Sequence, residues 1–266
     1  MTGVQIWAAC LAAALAGLVV GALVNALADH VVGVDQPVWI ATQCRACLTP
    51  LPVAPWLALG ELVKPRVCGA CSKRASLRRP IVQATLALAF PALVARALLD
   101  PGHPISTRAA PLPAWALIAL GVALFTALTF TFVVDLEHRL IYDLAIWPPL
   151  FLILGASALL NRAALPSLLL AAALSGGLFL LFYGLGWLIY RQEALGFGDV
   201  KLAALMGVAT GWPGVLTALA ITVAGGFAVA LLLLAVDSKS RRAYIPFGVF
   251  MVAAAAVTLF ISPFPW

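Results

Sequence analysis

The sequence predicts an all-α fold: a polytopic transmembrane helical bundle of about eight spans, with a small polar loop subdomain between the first two. Two observations predict it. Of the 266 residues, 64% are hydrophobic and 10% are charged, with a mean hydropathy of +1.08, whereas soluble domains average about 45–50% apolar and about 25% charged. No water-soluble globule has interior enough to hide that much apolar surface. The same composition excludes a disordered chain, a coiled coil and a secreted disulfide miniprotein. The second observation is pattern: apolar runs near the ~20 residues that a spanning helix needs recur along the chain, divided by short polar punctuation.

Taken in order, the runs predict spans at 4–27, 81–99, 114–134, 144–160, 167–189, 200–211, 214–236 and 246–263. A cleaved signal peptide is the rival reading of the first run, but residues 1–6 carry no Lys or Arg and the run is longer than such a segment requires. The sixth run is short, about 18 Å as an ideal helix. It counts as separate because Gly211-Trp212-Pro213-Gly214 is a strong stop-and-turn signal. Only residues 28–80 look aqueous, with four cysteines, several prolines and seven basic residues. The expected organisation is therefore a first transmembrane helix at 1–27, a cysteine-bearing loop at 28–80 and a membrane domain at 81–266.

Charge placement then predicts orientation. With eight spans, loops 28–80, 135–143, 190–199 and 237–245 share a side, and together with Lys201 they hold 13 of the 16 Lys and Arg residues. Basic excess marks the cytosolic side. Both termini are thus expected outside the cytosol and the cysteine loop inside it. The net charge of +6 reads as a topology signal in contact with membrane lipid, and no nucleic-acid partner is expected.

Within the loop, Cys44-Arg-Ala-Cys47 and Cys68-Gly-Ala-Cys71 form two CxxC pairs separated by 20 residues. Each pair can grip one metal ion from a tight turn, and two pairs complete a tetrahedral thiolate shell of the zinc-ribbon type. A reducing cytosol favours metal over disulfide; two disulfides or plain thiols are the alternative. Four thiolates leave no open coordination position, so Cys44, Cys47, Cys68 and Cys71 predict a structural zinc.

Of ten acidic residues, two stand at the edges of apolar runs. Asp135 directly follows the run that ends Val133-Val134, and Asp199 lies in Gly196-Phe197-Gly198-Asp199-Val200-Lys201. Ionisable groups at membrane depth are costly and usually functional. The predicted topology brings both to the same face, one ending an inward-running helix and the other beginning an outward-running one. Two carboxylates at close range share a proton, so the ionised member can take a proton from water while the other donates to a peptide carbonyl. Gly196 and Gly198 would permit unusual backbone angles and close approach. Helix N-caps and an ion or proton pathway are the alternatives for these aspartates. Lys201 either tunes the pair's charge or snorkels from a helix end.

These stretches resemble the prepilin leader peptidases, the GxGD-type intramembrane aspartic proteases. The run from Gly196 to Gly207, with Gly211 following, resembles their GxGDxKL motif, and Glu193-Ala194-Leu195 its usual approach. Asp135, with Asp143 eight residues on, resembles the first catalytic motif. Tyr142 stands where Pro is usual, and Asp143 is expected to cap the next helix. Gly21 to Asn25, the CxxC pairs and Arg78-Arg79-Pro80-Ile81-Val82-Gln83 resemble the N-terminal signatures, with Arg79 in place of Tyr and Gln83 in place of Glu. Ile245-Pro246-Phe247-Gly248 resembles a further one, with Val249 where Pro is usual.

The resemblance implies a peptidase of the bacterial inner membrane, with its active site at the cytosolic face and its termini periplasmic. Asp135 and Asp199 would be catalytic, and Gly196, Gly198, Lys201 and Glu193 would shape the site. The implied substrate is a type IV prepilin or type II secretion pseudopilin, cut after a short basic leader ending in Gly. Glu137 and Glu193 would attract that leader electrostatically. Relatives with the cysteine domain also methylate the new terminus with S-adenosylmethionine. A peptidase without methyl transfer, and a transporter using intramembrane carboxylates, are the alternatives.

Overall fold

The computed structural model describes residues 3–31, 47, 58–59, 67–72, 77–99, 112–191, 195–236, 246–262 and 265–266. Among them there are eight α-helices and no β-strand: α1 (Gly3–Val31), α2 (Arg78–Leu99), α3 (Ala114–His138), α4 (Asp143–Leu160), α5 (Leu165–Tyr190), α6 (Phe197–Thr210), α7 (Gly214–Val236) and α8 (Phe247–Ile261). The all-α expectation holds, and each apolar run has become a helix. Among the described residues, six stretches are long and apolar enough to cross a membrane, the sixth running from Phe197 to Leu232 through α6 into α7; α8 is a shorter apolar helix.

The chain divides into two compact units, 1–100 and 101–266. In the first, α1 packs along α2 through Gly17 and Gly21, a pair one helical turn apart. A Cβ at Gly21 would lie 2.7 Å from Gln83 Cα, and one at Gly17 would run into the Leu86 carbonyl. Small residues at this spacing let two apolar helices touch along their backbones, which is how helices associate without a hydrophobic driving force. Where the pair leaves the apolar stretch, polar groups take over. Asn25 Nδ2 donates to Gly21 O at 3.0 Å and to Arg79 O at 3.2 Å. Asp29 accepts from Arg78 at 2.6 Å and from Arg79 at 3.2 Å. Gln83, buried to 1% exposure, accepts the Ala58 N–H at 2.9 Å.

In the second unit, α6 is the central element and packs against α4, α5, α7 and α8. Ten of its 14 residues are buried. A helix apolar on all sides belongs in such a place, which accounts for a segment too short to cross alone. Its contact with α5 is again close: Ser175 Oγ donates across to Ala203 O at 2.7 Å, and a Cβ at Gly207 would lie 2.5 Å from Ala171 O. The helix ends at Gly211, which has φ +58° and donates to Gly207 O, as the stop signal predicts. It begins three residues before the apolar run, with Gly196 as N-cap, so that Asp199 lies inside its first turn.

Candidate active site

Asp135 occupies the last turn of α3. That helix ends because Arg139 adopts the left-handed conformation (φ 58°), its N–H bonding back to Asp135 O at 2.9 Å. The side chain is 5% exposed and points at the start of α8. There Val249, the third helical residue after the Pro246 N-cap, donates its backbone N–H to the carboxylate. The first N–H groups of a helix have no partner within it and carry the positive end of its dipole, so α8 offers Asp135 an anion site. Asp135 Oδ2 is buried and has no hydrogen-bond partner among the described residues. Burying a polar atom in this way costs stability, and such atoms concentrate where chemistry is done.

Asp199 is also held at a helix N-terminus, that of its own helix. It is the third residue of α6, its carboxylate accepts the Gly196 N–H, and its own N–H donates to Gly196 O at 3.0 Å. The carboxylate reaching back to the N-cap N–H is one half of a capping box. The side chain is 6% exposed, and Asp135 is near enough to act on it electrostatically. The two aspartates that sequence alone singles out are therefore gathered in one buried place between α3, α6 and α8.

The glycines differ in what they contribute. Gly196 has an ordinary extended backbone (φ −70°, ψ 141°), and a Cβ there would meet Asp199 Oδ2 at a normal 3.4 Å. Neither glycine of the motif needs an unusual backbone angle, contrary to expectation; what Gly198 supplies is close approach. A Cβ at Gly198 would lie 2.9 Å from Ile141 Cβ. Gly248 is tighter still, since a Cβ there would lie 2.6 Å from Asp135 Oδ2. In the sequence Gly248 and Val249 stand out only as part of a resembling signature; the structure gives both a partner in Asp135.

Lys201 does not bond to either aspartate of the pair. Its Nζ donates to Asp143 Oδ1 at 2.6 Å and lies 5.2 Å from the Phe197 ring centroid. Asp143 correspondingly is not the cap that the sequence predicts: Tyr142 is the N-cap of α4, no side chain caps that end, and Asp143 is the first helical residue. Its carboxylate is drawn to the lysine on α6 instead. With the Asp143 side chain 58% exposed, solvent screening limits such a pair to about 0–1 kcal/mol. A double-mutant cycle of Lys201→Met and Asp143→Asn, read by thermal unfolding, is accordingly expected to give a coupling of at most ~1 kcal/mol. Glu193 lies outside the described residues.

In the first unit, the Sγ atoms of Cys47, Cys68 and Cys71 all lie within 4.8 Å of one another. The Cys47–Cys68 separation of 3.6 Å is far longer than the ~2.05 Å of a disulfide. It matches the edge of a thiolate tetrahedron, about 3.8 Å when Zn–S is ~2.3 Å. The three cysteines can thus hold a metal ion together. Cys44, the expected fourth ligand, lies outside the described residues.

The comparisons with known proteins bear on the same regions. The family model described as the type IV leader peptidase family matches residues 122–258, a span that includes Asp135, Asp199 and Gly248. The chain is 30% identical over 247 residues to the prepilin leader peptidase/N-methyltransferase of Aeromonas hydrophila, covering 85% of this chain and 75% of that protein. It is 31% identical over 232 residues to the protein of the same name from Aeromonas salmonicida, covering 81% and 69%. The Pseudomonas putida protein of that name is 28% identical over 225 residues, covering 82% and 71%. No solved structure matches. With its matched segment extending over half the chain and both buried aspartates inside it, the chain belongs to the type IV leader peptidase family.

Proposed function

We propose that this protein is a membrane-embedded aspartic endopeptidase that removes the short basic leader from type IV prepilins or type II secretion pseudopilins. The supporting observation is the pairing of two buried carboxylates, Asp135 and Asp199, each set against a helix N-terminus, with one oxygen of Asp135 left without a partner among the described residues. In this reading the pair holds a water. One carboxylate takes the water's proton as its oxygen attacks the peptide carbonyl, while the other, protonated, donates to the carbonyl oxygen. Collapse of the tetrahedral diol returns a proton to the departing amine, breaks the C–N bond and leaves a free leader carboxylate. Because the pair would titrate as a unit, the roles of base and acid belong to the pair and not to one named aspartate.

A leader lying outside the apolar helix of its substrate is already extended, and so exposes its carbonyl without a helix being unwound. The eight helices of the described residues fit eight crossings, with α6 and α8 as the short ones, the site at the cytosolic face of a bacterial inner membrane and both termini periplasmic. Residues 1–27 would form the first span, 28–80 the metal-binding subdomain and 81–266 the peptidase domain. Purified full-length protein incubated with a prepilin tests the reading by mass spectrometry: a single cut after the leader supports it, and intact substrate overturns it.

The relatives' shared name favours a second activity, N-methylation of the new terminus with S-adenosylmethionine. Gln83, which stands where the family usually has Glu, is engaged with the Ala58 backbone, and a labelled methyl donor in the same assay decides between methylated and merely cleaved product. Cys44, Cys47, Cys68 and Cys71 would bind zinc, which supplies a cross-link holding the loop together. Metal analysis is expected to find about one zinc per chain, lost in Cys68→Ser.

A further inference from the structure

The last turn of α3 meets the first turn of α8 at the Asp135 carboxylate. A Cβ at Gly248 would lie 2.6 Å from its Oδ2 and 3.1 Å from its Cγ, and the next residue, Val249, donates its backbone N–H to it. Val249 is the third residue of α8, so this N–H belongs to the first turn, whose donors have no acceptor within the helix. Val249 also stands where the signature that this stretch resembles usually has Pro, a residue with no backbone N–H to give. The chain therefore makes a bond to Asp135 that a proline at the same place could not make.

We infer that Val249 is a positioning residue whose backbone N–H, acting through Asp135, keeps the aspartate pair singly ionised at lower pH than a proline there would allow. The inference rests on the peptidase reading, in which the two carboxylates work with one proton between them. A hydrogen bond to a carboxylate favours its charged form and is strengthened by the acceptor's charge. Asp135 is 5% exposed, so water replaces a lost donor poorly. The other charges around it do not depend on residue 249. Asp199 on α6 opposes a charge on Asp135 and Arg139 at the end of α3 favours it. Lys201 is bonded to Asp143, Glu137 Oε2 lies 3.6 Å from His138 Nε2, and the Tyr142 ring packs against Phe130. Helix α8 itself carries no titratable side chain, so what it gives Asp135 comes from its backbone.

The test measures kcat/KM for prepilin cleavage against pH, which reports the titration of the free enzyme, in full-length wild type, Val249→Pro and Val249→Ala. Proline is tolerated in the first turn of a helix, so Val249→Pro removes the donor and leaves α8 in place. Losing a bond to the charged form raises the pH at which the pair takes up its second proton. The acid limb of Val249→Pro is therefore expected about one pH unit above that of wild type, the scale of one hydrogen bond to a charged group. Val249→Ala keeps the N–H, and its acid limb is expected to coincide with the wild-type one. An acid limb that stays in place in Val249→Pro, or that moves as far in Val249→Ala, overturns the inference and leaves the peptidase reading standing. Should Val249→Pro be inactive, the acid limb of the residual activity in Gly248→Ala decides in the same way, because relieving the contact of the added Cβ with Oδ2 draws the carboxylate and the first turn of α8 apart. Wild-type protein that does not cut prepilin overturns the peptidase reading, and the inference with it.

Discussion

Asparagine in place of Asp135 or of Asp199 is expected to lower prepilin cleavage by at least ~10²-fold, since each removes a proton acceptor or donor worth about 10²–10⁴ in rate. The fold is expected to survive both changes. An asparagine keeps the size of the aspartate and one carbonyl oxygen. In Asp135→Asn that oxygen could still accept the Val249 N–H, and in Asp199→Asn the Gly196 N–H, which the carboxylates accept now. Burying a neutral amide also costs less than burying a carboxylate. The thermal midpoint is therefore expected to stay level or rise as activity disappears, the usual sign of a site held at the expense of stability. Melting curves and cleavage rates on the same preparations check both halves. Full activity in either variant would remove the carboxylate pair from the mechanism. A large fall in melting temperature would instead make the aspartates structural.

Much of this was legible in the sequence because charge is so scarce in it. With 10 acidic residues in 266, an aspartate abutting an apolar run stands out, and the positions of Asp135 and Asp199 along their helices are set by local signals. The turn at Gly211 was equally legible, being written in glycine and proline. Helix starts were less so: the glycines of Gly196-Phe197-Gly198 look like loop, yet Phe197 and Gly198 are the first turn of α6, because burial of that helix outweighs the roughly 1 kcal/mol cost of a helical glycine. Partners across the fold were not legible at all. That Val249 would meet Asp135, that Asp143 would choose Lys201 over its own helix end, and that Ile141 would touch two glycines depend on how α3, α4, α6 and α8 pack. Hydropathy patterns say only that such helices exist.

Gly248 offers the sharpest test of that packing. Gly248→Ala is expected to reduce kcat about 10²-fold, the cost of displacing a catalytic group by roughly 1 Å, with a smaller effect on KM. The added Cβ would lie 2.6 Å from Asp135 Oδ2, 3.1 Å from its Cγ and 3.3 Å from Ile141 Cδ1, so something must shift. Either the carboxylate turns away from Asp199, or the first turn of α8 retreats and takes the Val249 N–H with it. Both spoil the pair, and overpacking is expected to cost about 1–3 kcal/mol of stability besides. Gly196→Ala is the informative contrast, because its Cβ meets Asp199 Oδ2 at an ordinary 3.4 Å and its backbone suits any residue. It is expected to keep most of the activity. Gly155→Ala, with nothing within 4 Å of its Cβ, controls for helix propensity alone. Steady-state kinetics on the three variants gives the ranking; wild-type kcat in Gly248→Ala would show that Asp135 works from a position other than the one against α8.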